Sequence, residues 1–437
     1  MTLYSDRTRT MGTENAFKIG PHISNVEASG RSVIRLNLGE PDFAPPQWVI
    51  DEVTAQLRAG NTKYCDPQGL PALRRAIAGQ VGRTRGLDIS PDRVCVFPGG
   101  KPSIAFSQQL YCNPGDEIIY PSPGFPIYES MAGYVGAVPV PLHLDPLEDF
   151  TFRPEQLKAL ITPKTKLIIL NFPANPTGGV ASREQLEATA QVILSSCGPD
   201  VRVYADEIYE NIIFNERPHA SIAAVPGMEE RTLIASGFSK SFAWTGGRIG
   251  YVVCPTIEEA LQFKTLNINY FSCIPPYNQE GARVALEHPD SAAWTANMTA
   301  AFQRRGHMAV AALNQINGVS CQMPKGAFYA FPDISGLCRR LGVIQAYDAL
   351  PEEIKARTTP ATMFQMFALY HHGVAVLDRV SFGAIGARDQ HFIRISLASA
   401  RKELREGIAR LAAAGGDTDG FRTFVNTTPH LFGGQDQ

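Results

Sequence analysis

The chain has 437 residues, 44% hydrophobic and 19% charged, with 40 basic and 42 acidic side chains and a formal net charge of -2. That suits a globular chain with a large domain and a smaller one. The balanced charge argues against a nucleic-acid groove or an anionic-membrane surface, and leaves a local positive pocket as the place for a small anion. Cys65, Cys95, Cys112, Cys197, Cys254, Cys273, Cys321 and Cys338 are scattered, without a Cys-x-x-Cys pair or Cys/His metal spacing. Free thiols and no metal site are expected.

The first residues, Met1 to Phe17, are polar and carry Arg7 and Arg9, so no signal peptide is expected. The apolar runs are too short to span a bilayer, and a cytoplasmic location is expected. Pro41 to Pro46 form a plausible joint. Six short apolar runs follow: Val94 to Phe97, Glu117 to Tyr120, Leu167 to Leu170, Val201 to Tyr204, Leu233 to Ala235 and Ile249 to Val253. Runs of Val, Ile and Leu ending in Pro, Gly, Asn, Asp or Ser suit strands buried on both faces. Helical spacing lies between them at Ser103 to Tyr111 and Arg183 to Leu194. The fold class is therefore α/β with a mostly parallel sheet, in which one of the last two runs is open to an antiparallel placing.

Beyond Ala292 the pattern changes. Helical stretches at Ala292 to Leu313, Thr362 to His371 and Arg401 to Ala412 frame strand candidates at Ala327 to Phe331, Val374 to Leu377 and Phe392 to Ile395. This predicts a smaller α+β domain, with Gly318 as a second joint. The expected division is 1–47 as an arm and part of the small domain, 48–310 as the large domain and 311–414 as the rest of the small domain. Residues 415–437, polar with Gly and Asp, read as a poorly ordered tail.

Several residues carry possible chemistry. In Ser236-Gly-Phe-Ser239-Lys240-Ser a strand runs into small residues and then a lysine. A lysine beyond the end of such a strand can bond an aldehyde as a Schiff base, although most single lysines are solvated surface groups. Arg248 follows a Gly-Gly turn and matches phosphate in geometry. Asp206 ends a buried run, where a carboxylate needs a partner; a helix N-cap explains it about as well. Tyr209 shares its face if a helical turn begins there. Gly99-Gly100-Lys101 precedes a helix and suits phosphate, though a plain strand-to-helix turn is the commoner meaning. Asn171-Phe-Pro-Ala-Asn175-Pro-Thr-Gly ends another strand as a polar turn. Arg394, in Phe392-Ile-Arg-Ile-Ser, points to solvent or into a cleft.

Taken together, the pieces resemble the class I/II aminotransferases, the aspartate aminotransferase-like branch of the fold type I enzymes that use pyridoxal phosphate. The resemblance runs from about Leu36 to Ala413. It rests on Leu38-Gly39-Glu-Pro-Asp42-Phe, Tyr64 with Gly69-Leu-Pro-Ala-Leu-Arg, Asn175-Pro-Thr-Gly, Asp206-Glu-Ile-Tyr209, Ser239-Lys240 with Arg248, Gly326-Ala-Phe-Tyr329, and Arg394-Ile-Ser. Each is weak alone, and seven in order are specific.

The resemblance implies that residues 48–310 bind pyridoxal phosphate, that Lys240 bonds it and moves the proton, and that Asp206 pairs with its ring nitrogen. Asn175 and Tyr209 are implied at the ring oxygen and Phe125 on the ring face. Gly100, Lys101, Ser239 and Arg248 are implied at the phosphate, with Tyr64 reaching the phosphate of a neighbouring subunit. Arg394 and Gly39, beside Asn175, are implied to hold the substrate α-carboxylate. A homodimer with shared active sites follows, acting on an amino acid and a 2-oxo acid, without nucleic acid or membrane.

Three positions depart from the family pattern. Phe125 stands where aspartate-specific members often carry Trp. Val376-Leu-Asp378-Arg-Val-Ser-Phe382-Gly lacks the usual Pro-Gly, which leaves that loop undetermined. Gly237 removes a hydroxyl that some members aim at the phosphate. In some bacterial aspartate aminotransferases a lysine like Lys101 meets the distal carboxylate, so an acidic donor with 2-oxoglutarate as acceptor is expected. Phe125 and Phe328 keep an aromatic or neutral donor open. A β-lyase or decarboxylase is the nearest rival chemistry. A ligand-sensing regulator is disfavoured, because no helix-turn-helix precedes Leu36.

Overall fold

All six apolar runs are strands of one seven-stranded sheet in the computed structural model, which describes residues 3–12, 14–428 and 431. The strands are β1 (Val94–Phe97), β2 (Glu117–Ser122), β3 (Val138–His143), β4 (Thr165–Asn171), β5 (Arg202–Asp206), β6 (Thr232–Gly237) and β7 (Gly250–Val253). They lie in the order β1-β7-β6-β5-β4-β2-β3. Every pairing is parallel except the two made by β7. The interior strands β4, β5 and β6 are buried almost throughout, as the unbroken apolar runs require.

The strand missing from the sequence reading is β3. It alternates Val138-Pro139-Val140-Pro141, and proline cannot donate to a ladder. The structure resolves this by putting β3 at the sheet edge, paired only with β2.

On one face of the sheet, α1 (Lys101–Tyr111) and α2 (Ile127–Val135) share a core with β1 and β2 through Ile104, Phe106, Tyr128, Ala132, Phe97 and Tyr120. The long helix α3 (Ser291–Leu313) leads to the smaller domain. There β8 (Tyr329–Ala330), β9 (Leu377–Asp378) and β10 (Ile393–Ser396) form an antiparallel sheet in the order β9-β10-β8. Ile34–Arg35 pairs in parallel with Val374–Ala375, which ties the N-terminal segment to this domain. The helices α4 (Pro360–His372) and α5 (Arg401–Gly416) cover it.

The stretch expected to be a poorly ordered tail is a correction. It continues as α6 (Thr418–Thr427), capped by Asp417, whose carboxylate accepts the Gly420 N–H at 2.9 Å. Phe421 and Phe424 lie one helical step apart on the same face. Both are buried against Phe367, with ring centroids at 5.3 and 5.6 Å. A polar average concealed two anchoring rings. Of the tail beyond Thr428, only Leu431 belongs to the described residues. No helix among the described residues is long and apolar enough to cross a membrane.

Candidate active site

Chains in open α/β sheets bind ligands beyond the carboxyl ends of their strands. A cavity of about 630 Å³ lies there, walled by both domains and by the segment around Glu14. Lys240, Asp206, Tyr209, Asn175, Arg248, Arg394, Gly39, Gly100, Lys101, Phe125 and Ser239 all line it. Tyr64 does not line it and is 87% exposed.

Asp206 closes β5 and is 8% exposed. Its Oδ2 accepts from the Tyr128 hydroxyl at 2.6 Å, and its Oδ1 accepts from the Ile208 N–H at 3.3 Å. The helix N-cap expected as the alternative does not form, since the residues after Asp206 make a turn and not a helix. Burial outweighs both donors and pushes the carboxyl up to about 6. Both partners are neutral, so a cation at this point would stabilise the charged form.

Lys240 enters from the end of β6 on a single helical turn, Phe238–Ser241. Its Nζ donates to the Gly39 carbonyl at 2.6 Å. Burial, and then the Arg394 charge, depress the ammonium to about 8. The amine is therefore far more often neutral at physiological pH than a surface lysine, as a nucleophile or base requires. Gly39 has to be glycine for a local reason: a Cβ there would overlap the Tyr329 hydroxyl, which lies 2.8 Å from the Tyr209 hydroxyl.

Arg394 sits on β10 and is 4% exposed. Its Nη1 donates to Asn175 Oδ1 at 3.0 Å and its Nη2 to the Asn37 carbonyl at 2.5 Å. Its Nε is buried without a hydrogen-bond partner. The guanidinium lies 4.4 Å from the Tyr329 ring and 4.8 Å from the Phe382 ring. A buried cation with neutral acceptors and one unmet donor fits a carboxylate.

At the opposite wall, α1 begins at Lys101 immediately after Gly100. Gly99 takes a left-handed φ of 88°, and a Cβ there would overlap the Arg248 guanidinium. Arg248 is held by the carbonyls of Thr245 at 2.9 Å and Pro98 at 3.3 Å. A helix N-terminus, a guanidinium and Ser239 converge on one end of the cavity, a donor set that fits a phosphate. A buried carboxylate awaiting a cation, an amine of lowered basicity and this anion cradle together fit pyridoxal phosphate.

The loop left open by the sequence has a definite form. Asp378 caps a short turn at Arg379–Phe382, accepting the Ser381 N–H at 3.1 Å. Arg379 is fully buried and donates to Ser122 Oγ and the Gly383 carbonyl, both at 2.9 Å. These side-chain hydrogen bonds tie the turn to the strand end at Ser122, and Phe382 reaches the cavity wall.

Behind Asp206 lies a charged layer. Glu207 accepts from Arg85 Nε at 3.1 Å and from Nη2 at 2.5 Å, and the same Nη2 reaches Glu210 at 2.5 Å. Burial opposes its ionisation, yet Arg85 and then His219 prevail and hold the Glu207 carboxyl down at about 2.

Sequence reasoning missed three partners. Tyr128 is the hydroxyl donor to Asp206; its place three residues after Phe125 is the only local signal. Asn37 offers only its carbonyl, which any residue type could supply. Glu14 contacts Lys101 across a large sequence separation, with no motif to link them.

Residues 31–411 match the family described as aminotransferase class I and II. The chain is 36% identical over 414 residues to the aspartate/prephenate aminotransferase of Cereibacter sphaeroides, covering 94% of this chain and 98% of that protein. The crystal structure of the aspartate aminotransferase from Rhizobium meliloti is similar with a TM-score of 0.85 at 31% identity, covering 95% of this chain and 99% of that one. The aspartate aminotransferase from Thermus thermophilus with maleate gives 0.82 at 30% identity, covering 95% and 100%.

Proposed function

The chain belongs to the class I and II aminotransferases, a pyridoxal-phosphate-dependent family, and on that premise we propose that it moves the amino group of an acidic L-amino acid, aspartate foremost, to a 2-oxo acid such as 2-oxoglutarate. One observation carries the reading: a single cavity holds the Lys240 amine, the buried Asp206 carboxylate and the Arg394 guanidinium with its unmet N–H. The aspartate-type relatives support the acidic donor.

Bound pyridoxal phosphate supplies an aldehyde carbon to carry the amino group and a ring to accept the electrons released at the α-carbon. In this reading Lys240 would hold the cofactor through its aldehyde carbon, the aldehyde oxygen leaving as water, Asp206 would keep the ring nitrogen protonated, and Asn175 and Tyr209 would hydrogen-bond the ring oxygen. Phe125 covers the ring face, while Gly100, Lys101, Ser239 and Arg248 hold the phosphate. Arg394 grips the substrate α-carboxylate beside Gly39 and Asn175, which fixes the bond to be broken. Once the donor's amino group has displaced it, Lys240 Nζ would take the α-proton and return it on the far side of the donor nitrogen, as base and then acid. Lys101, beside the phosphate site, is also the cation assigned to a distal carboxylate. The exposed Tyr64 reaches the phosphate site of a second copy in a homodimer.

The test is a panel of amino acids offered with 2-oxoglutarate to the cofactor-loaded enzyme. Glutamate formation, fastest with aspartate, is expected. Release of carbon dioxide, or of pyruvate with ammonia, in place of glutamate would overturn the reading in favour of a decarboxylase or β-lyase.

A further inference from the structure

The cation assigned to the distal end of the substrate already has an anion. Lys101 Nζ is in contact with Glu14 Oε1, and the Glu14 side chain is 15% exposed while that of Lys101 is 47% exposed. The contact lacks hydrogen-bond alignment, since Glu14 Oε1 has no hydrogen-bond partner; charge alone holds the pair. Glu14 is also placed, rather than trailing. On one side of it the Gly12 carbonyl accepts from Ser130 Oγ at 2.9 Å. On the other, Asn15 Nδ2 donates to Ser381 Oγ at 2.9 Å, and Asn37 Nδ2 to the Ala16 carbonyl at 3.4 Å. The arm is thereby fastened to α2, to the Asp378 turn and to the segment beside Gly39. Phe17 adds its ring 5.5 Å from the same ammonium.

We infer that Glu14 is a specificity-determining residue: a resident carboxylate that neutralises Lys101, weakens recognition of acidic donors and admits donors with neutral side chains. An incoming distal carboxylate has to share Lys101 with Glu14 or displace the fastened arm. Two carboxylates competing for one ammonium repel each other, and the resident one already balances the Lys101 charge. A neutral side chain meets no such rival, and the Phe17 and Phe125 rings offer it apolar surface. Arg394, which reads the α-carboxylate common to all donors, feels the Glu14 charge only as the last of the causes acting on it, after burial and the two tyrosines.

The inference rests on the aminotransferase reading, and the experiment separates the two. In the cofactor-loaded enzyme, Glu14→Gln keeps the shape of the side chain and removes its charge. The ratio of KM for aspartate to KM for leucine is expected to fall about 10-fold, the size of one charge-assisted hydrogen bond regained. Maleate, a dicarboxylate that cannot react, is expected to bind about 10-fold more tightly by calorimetry, while the monocarboxylate butyrate, which meets Arg394 alone, tightens far less. In a Lys101→Ser background the same Glu14→Gln change no longer frees a cation, so its gain for maleate shrinks well below that in the parent. An unchanged KM ratio, or unchanged maleate affinity, overturns the role of Glu14. Absence of glutamate formation by the wild-type enzyme with any donor overturns the aminotransferase reading instead.

Discussion

Replacing Asp206 by Asn should make the cofactor-free protein more stable while destroying its use for the cofactor. The Asp206 carboxyl has a folded value of about 6 against an ordinary 3.8, raised by burial. Between those values the folded chain holds a proton that the unfolded chain has lost, so stability falls as pH rises. Each pH unit across that window costs about 1.4 kcal/mol, which brings the penalty at neutral pH to about 3 kcal/mol. Asparagine cannot ionise and so escapes it. It still accepts from Tyr128, but loses the contact with the Ile208 N–H, an offset of about 1 kcal/mol. Urea unfolding of the cofactor-free proteins should therefore show the variant ahead by about 2 kcal/mol near pH 7, and level or slightly behind near pH 4. Pyridoxal phosphate should then stabilise the wild type far more than the variant, because only the wild type offers a charge to the ring nitrogen. A variant no more stable than wild type above pH 6, or a difference that does not shrink on acidification, would refute the reasoning.

The depressed basicity of Lys240 predicts that the rate of its reaction with pyridoxal phosphate rises with pH around a midpoint near 8, followed as growth of the visible absorption band; a midpoint near the ordinary 10.5 would contradict it. Arg394→Ala removes a buried charge-assisted clamp, so kcat/KM should fall roughly 10- to 100-fold for every amino donor alike, with the cofactor still bound. A loss confined to aspartate would show that Arg394 reads the side chain instead. Arg85→Met leaves Glu207 buried without its main cation and should cost about 3–5 kcal/mol in denaturant unfolding at neutral pH. Because Glu207 is held below its ordinary 4.5, its contribution is complete above that value and disappears as pH falls toward about 2, so the deficit of the variant should narrow in acid.

Much of this was legible in the residues because the chemistry is local to strand ends. An unbroken apolar run followed by Asp206, by Gly237 and Lys240, or by Gly99-Gly100 announces a buried strand and the polar group at its mouth. Arg394 was ambiguous, since a strand of alternating faces directs an arginine to solvent or to a cleft, and only the placing of β10 beside Tyr329 and Asn175 decided it. The Asp378–Phe382 turn could not be read, because its form depends on Arg379 finding Ser122 from the other domain.

The order of polar punctuation along the chain determined the α/β architecture and the family, and singled out Lys240 as the lysine proposed to react, since backbone periodicity and turn chemistry act over a few neighbours. Tertiary structure alone decided what lies against each charge. Tyr128 reaches Asp206, Asn37 and Asn175 meet Arg394, and Glu14 meets Lys101, all across large sequence separations. The physical reason is that burial and electrostatic pairing depend on distance in space, which only the packing of the two domains and the arm brings into being.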